Sequence, residues 1–172
     1  MNRSKKGDSG EGKGVGMTEH IIQDTIESGE DHFIKDQWGR EYHFRIGAFP
    51  NPTGPFIEAV EVKQGTEPGY VFRIESESLD GFFDAEEKLL KKIRRGLNRR
   101  YLKKEAGRWR IGAKDMLRGR IDWNDDLSDT EYNKAFFIDG KRITIEEFVM
   151  MLEPLEGFHF HLRILSAYDD KA

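Results

Sequence analysis

An α+β fold is what this sequence predicts: an antiparallel sheet covered by one long amphipathic helix, closed by a C-terminal hairpin–helix–strand unit. Three observations predict it. Between His32 and Glu75 apolar and polar residues alternate with the two-residue period of half-covered strands. From Asp80 the period lengthens to that of a helix, and Phe82, Leu89, Leu90, Ile93 and Leu97 share one stripe. Further on, Asp139-Gly140 is the pair a type I′ hairpin turn requires, and Thr144 with Glu147 forms the pattern of a capping box.

Taken in order, residues 1–17 are expected as a disordered leader, in which 1–16 are mostly Gly, Lys, Ser and acids with Val15 their only apolar residue after the start. Such a segment buries too little to order itself. It lacks the apolar stretch of a secretory signal, and Met17 offers a second start. A single domain is expected over 18–168, with 169–172 a mobile tail. Residues 18–30, with Ile21, Ile22 and Ile26, read as one short helical turn or a docking segment. Strands are expected at Asp31–Asp36, Glu41–Phe49, Phe56–Lys63 and Tyr70–Glu75. Gln37-Trp38-Gly39 and residues 65–69 supply turns, and Pro50, Pro52, Gly54 and Pro55 a stiff loop.

The covering helix is expected over Asp80–Arg100. Arg100 returns to the apolar side, so the helix should end near it, and Gly96 borders the stripe where a close approach to the sheet is possible. Arg118–Trp123 reads as a short strand and Asn124–Asn133 as an acidic loop. After the hairpin, Ile143 and Phe148 are placed as a hydrophobic staple around a helix over Ile145–Glu153. Gly157 then releases the chain into a last strand. Phe158, Phe160, Leu162 and Ile164 are expected inside, and His159, His161 and Arg163 outside.

Composition narrows the function classes. A chain of 172 residues with 37% hydrophobic and 35% charged content suits a polar domain with a thin core. No apolar run approaches the about 20 residues of a membrane span, and the absence of cysteine excludes disulfides and thiolate chemistry. A cytoplasmic protein is the simplest expectation. The net charge of −4 hides an asymmetry: residues 88–110 carry eleven Lys and Arg against Glu105 alone. That segment is +10 and the remainder −14.

The basic run is the candidate binding surface. Lys88, Lys91, Lys92, Arg95 and Arg99 lie opposite the apolar stripe, with Arg108, Trp109 and Arg110 following. Such a face can contact phosphates and offer a stacking platform. Equally, it can solvate the outer side of a covering helix, or pair with acids such as Glu86, Glu87, Asp125, Asp126 and Asp129.

His159 and His161 on one strand face would lie about 7 Å apart, and a metal site would need His43 or His32 as a third ligand. Arg163 opposes a bound cation there. The run from Asp122 to Asp126 resembles the start of a calcium loop, but Leu127 stands where glycine is needed and Asn133 where a bidentate glutamate is needed. Glu58 and Glu61 point to opposite strand faces and cannot serve one substrate as a pair, and Glu147 is occupied in capping. No glycine-rich phosphate loop follows a strand, and no serine sits in a nucleophile elbow. No catalytic residue, metal ligand set or cofactor is assigned.

Two pieces carry a family resemblance. One is Arg118-Gly119-Arg120-Ile121-Asp122-Trp123. The other runs from Ile138-Asp139-Gly140-Lys141 through Glu146-Glu147-Phe148 and Met151-Leu152 to Glu156-Gly157-Phe158. Together with the Gly69-Tyr70-Val71-Phe72 strand and the basic helix, they resemble a recurrent C-terminal domain of uncharacterised bacterial proteins. The resemblance covers about Phe33–Ile164. It implies a bacterial intracellular protein and a shared fold, and carries no activity. The expected function is a non-catalytic interaction or regulatory module, whose partner could be a protein with an acidic surface. Nucleic-acid binding through the basic helix is the alternative, and a metal-binding or enzymatic role of the His159/His161 face the third.

Overall fold

The alternation in the first half builds a four-stranded antiparallel sheet, A, in the order β1 (Glu30–Lys35), β2 (Glu41–Phe49), β3 (Phe56–Glu61) and β4 (Val71–Glu75). The computed structural model of the chain describes residues 17–50, 54–64, 69–76, 82–112, 114–123 and 134–166. The leader 1–16, the turn at 65–68, the acidic loop 124–133 and the tail 169–172 lie outside them. Asp36 organises the β1–β2 turn, its Oδ1 accepting from the N–H groups of Trp38 and Arg40 at 2.9 Å each.

The covering helix, α2, spans Phe82–Leu97, sixteen residues and shorter than the expected 80–100. Ala85, Leu89, Ile93 and Leu97 bury against Phe44, Ile46, Ile57, Ala59 and Ile74 of the sheet. At Gly96 a Cβ would stand 2.5 Å from the Phe72 ring, so glycine permits the close approach that its position suggested. The helix stops because Arg100, due to fall on the apolar stripe, turns back. Its Nη1 donates to the Leu97 carbonyl at 2.6 Å, capping the helix end.

On the other face of sheet A lies α1 (Met17–Ser28), three turns where one was expected. Thr25 is fully buried, its hydroxyl donating to Glu58 Oε1 at 2.9 Å, and Ile22 is buried beside it. Arg45 of β2 donates to the carbonyls of Ile26 and Glu27, satisfying the last turn of α1. With α1 on one side and α2 on the other, every residue of β3 is buried. That two-sided cover is why Phe56–Glu61 reads as more apolar than its neighbours.

The second half begins with a hairpin that the charge run concealed: β5 (Leu102–Glu105) and β6 (Arg108–Ile111) around an Ala106-Gly107 turn. Sheet C follows, in the order β7 (Gly119–Trp123), β8 (Lys134–Ile138) and β9 (Lys141–Thr144). Asp139 and Gly140 both take positive φ, as a type I′ turn demands. In α3 (Ile145–Leu152), Thr144 Oγ1 accepts from the Glu147 N–H at 3.1 Å, and Glu147 Oε2 accepts from the Thr144 N–H at 2.9 Å. A 3-10 turn, Glu153–Leu155, ends the unit. Leu102, Ile138, Ile143 and Met151 form the second core, with Trp109, Phe136 and Phe148 packed on it.

The Asp139-Gly140 turn also joins the halves. Within the second half Asp139 Oδ2 accepts from the N–H groups of Tyr101 and Leu102, both at 2.8 Å. Gly140 lies against the Tyr70 ring, and Lys63 donates to its carbonyl.

The last strand is corrected. Residues 158–166 form no strand, and Phe158, Phe160, Leu162 and Ile164, expected inside, are 74%, 89%, 73% and 69% exposed. The alternation is genuine, but among the described residues no strand pairs with it. Gly157, at φ +86°, turns the chain away from α3 instead. No helix among the described residues is long and apolar enough to cross a membrane.

Candidate interaction surface

Every residue from Glu156 to Ser166 is exposed, so the segment after α3 leaves the body as an arm. Its four alternating apolar side chains are all largely exposed. The nearest complement is the open side of sheet C. Strand register places Ile121, Phe136 and Ile143 in one row on one face. Along that row burial declines: Ile143 is buried, Phe136 is half-buried against the Phe148 ring at 4.6 Å, and Ile121 is 53% exposed. Helix α3 packs on β6, β8 and β9. The apolar face therefore runs out uncovered at β7, where Trp123 is 40% exposed beneath the Lys134 ammonium. Among the described residues strand β7 pairs only with β8, and no described strand lies on its outer backbone edge. On α3 itself, Val149, Met150 and Leu152 are exposed.

The basic run divides between the outer side of α2 and strand β6. Lys88, Lys91, Arg95 and Arg99 are exposed on or just beyond α2, with Lys91 Nζ 2.7 Å from Glu87. Lys92 reaches the sheet, donating to the Arg73 carbonyl at 2.8 Å. Arg108, Trp109 and Arg110 belong to β6 and not to the helix. Trp109 is half-buried in the second core with the ammonium groups of Lys104 and Lys141 over its ring. It is thus no free stacking platform. Arg110 donates to the Met150 carbonyl at 3.0 Å.

The histidines do not converge. His159 and His161 lie on the exposed arm. His43 stacks on Phe33 at 4.7 Å and sits 2.6 Å from Asp31, and His32 faces Glu86 at 3.6 Å. Among the described residues no group of three or more His, Asp or Glu could hold a metal ion.

Two polar clusters were invisible in the sequence. Glu58 is fully buried between Thr25 and Arg73, its cross-strand neighbour on β4. Burial pushes its carboxyl up, against the pull of the Arg73 charge. Arg120 on β7 lies nearby, drawn down by burial and held 2.8 Å from Asp122. Asp36, 1% exposed, receives Arg100 Nη2 at 2.9 Å and the Tyr42 hydroxyl at 3.2 Å, while the Arg100 guanidinium lies over Trp38. Burial raises the Asp36 carboxyl. The Arg40 and Trp38 N–H groups, Tyr42 and Arg100 more than offset this and leave it below the usual range. Each cluster joins residues far apart in the chain, which no local spacing signals.

Two family models divide the chain. Residues 27–98 match a domain of unknown function, DUF7686, and residues 101–169 match a second, DUF7713. The two matched regions meet at the end of α2. No curated protein and no solved structure is a match. The second matched region contains the whole of sheet C, α3 and the arm.

Proposed function

We propose that this chain is a non-catalytic interaction module whose contact surface is the arm 158–165 together with the uncovered side of sheet C. The observation that carries this reading is the exposure of Phe158, Phe160, Leu162 and Ile164, large apolar side chains in strand alternation and largely open to water. Alternation of this kind is suited to strand addition, where the backbone supplies affinity and alternate side chains supply specificity. The test is a photoreactive residue in place of Phe160, compared with one in place of the exposed Glu41, in cells producing the chain. Protein adducts are expected at position 160 and not at 41. An absence of adducts at 160 sinks the reading.

A second reading rests on Lys88, Arg94 and Arg99, exposed cations at or near the outer side of α2. They favour a polyanion such as nucleic acid, whose binding must weaken steeply with salt. Oligonucleotide titration at low salt, with Arg94→Glu and Arg99→Glu as controls, decides it. Affinity no tighter than about 10⁻⁴ M retires it.

A further inference from the structure

We infer that the partner of the arm is a second copy of this chain, with each copy laying residues 158–164 along the open edge of β7 in the other. This deepens the interaction reading and rests on it. Donor and acceptor are both present on one chain. The donor is an unpaired segment with apolar residues at every second position. The acceptor is a strand edge with no partner among the described residues, whose inner face carries Ile121 and Trp123, exposed where α3 ceases to cover sheet C. A fourth strand beside β7 would continue the row Ile143, Phe136, Ile121 outward with phenylalanine and leucine, and would shield Ile121 from water.

The arm is not docked on its own sheet: it follows helix α3, which runs over β8 and β9 and against β6. It then leaves the body: nine residues from Phe158 to Ser166 are all exposed, and a segment of that length reaches up to about 30 Å. A surface that holds both halves of a complementary pair closes into a two-fold dimer, each copy giving and receiving one arm. The size is sufficient. The two phenylalanines of one arm carry about 300–500 Å². Two arms with two receiving edges together exceed the about 1,000 Å² that a specific interface needs.

The experiment is sedimentation velocity on the full chain over a wide concentration range, with hydrogen exchange on the same samples. The wild type should sediment as a dimer, twice the 20.0 kDa chain mass. Phe160→Asp, which spoils the donor, and Ile121→Asp, which spoils the acceptor, should each weaken dimerisation by about 30-fold or more. Mixing the two variants should restore a dimer, because the intact edge of the first receives the intact arm of the second. That recovery also shows both variants to be folded. A wild-type dimer indifferent to Phe160→Asp, or two variants that fail to complement, overturns the inference. A monomer whose arm amides are protected shows the arm docked on its own sheet, and the interaction reading falls with the exchange. A monomer with unprotected arm amides overturns the exchange alone and leaves the surface for a different partner.

Discussion

Sheet A and sheet C are both small antiparallel sheets, but they are covered differently. Sheet A has α2 on one face and α1 on the other, and its third strand is buried throughout. Sheet C has α3 over two of its three strands, and its apolar row stays open at β7. The comparison shows where a fold is finished. In the first half the buried Glu58 is held by Thr25 and Arg73, while Arg73 Nη2 is buried without a hydrogen-bond partner and Phe33 and Trp38 stay exposed. In the second, a strand edge and an apolar arm have no partner among the described residues.

The largest test of that contrast lies in the finished half. Arg73→Met leaves Glu58 buried without its cation, and breaking such a pair costs about 3–5 kcal/mol. Urea unfolding should show a loss of that order. A loss under about 1 kcal/mol would mean that β3 is not sealed from water.

At the joint, Gly140→Ala should cost about 1–2 kcal/mol for its left-handed backbone alone. More is expected from the added Cβ, which would stand 2.8 Å from the Tyr70 ring. The same substitution at Gly107, also at positive φ but with open space around it, should cost only the backbone part. Equal losses at the two sites would show that the turn is not wedged between the halves.

A pH-dependent effect should follow from Asp36. Its carboxyl is depressed in the folded state, so its stabilisation is complete above the unfolded value of about 4 and lost as pH falls through the folded value. Asp36→Asn should therefore lower the melting temperature at neutral pH, with the gap to wild type closing on acidification below about pH 4. A gap constant from pH 7 to pH 2 would contradict the charge-based account.

The smallest effect belongs to the arm. Phe160→Ser, measured at a dilution where the chain is monomeric, should change stability by no more than about 0.5 kcal/mol. A buried phenylalanine would lose about 3–5 kcal/mol on truncation to alanine. Chemical denaturation of the two proteins side by side separates these outcomes.

Local patterns were legible in the sequence wherever a short-range rule governs the backbone. The four strands of sheet A, the Asp139-Gly140 turn and the Thr144/Glu147 box all follow from spacing within a few residues. The β5–β6 hairpin was obscured because its outward positions belong to the same basic run as the helix before it, and only Leu102, Trp109 and Ile111 reveal an inner face. Helix α1 was underestimated because part of its docking is polar, through Thr25 to a glutamate 33 positions away. The last strand was the instructive failure. Alternation from Phe158 to Ile164 reports that a segment can be a strand, but whether an edge receives it is a property of topology. Of the expected binding surface, Lys88, Lys91, Arg95 and Arg99 are exposed, whereas Trp109 and Arg110 are used within the second half.

The turn at Asp139-Gly140 has a mechanical consequence. The two matched regions are separated by Arg99 and Arg100 alone, and Arg100 is anchored in the first region by Asp36, Tyr42 and Trp38. A chain crossing is one attachment. The turn, seated on Tyr70 and held by Lys63, is a second. The turn therefore holds the second half against the start of β4 at a place remote in sequence from the crossing, and the Arg120 side chain beside Glu58 adds a third point of approach.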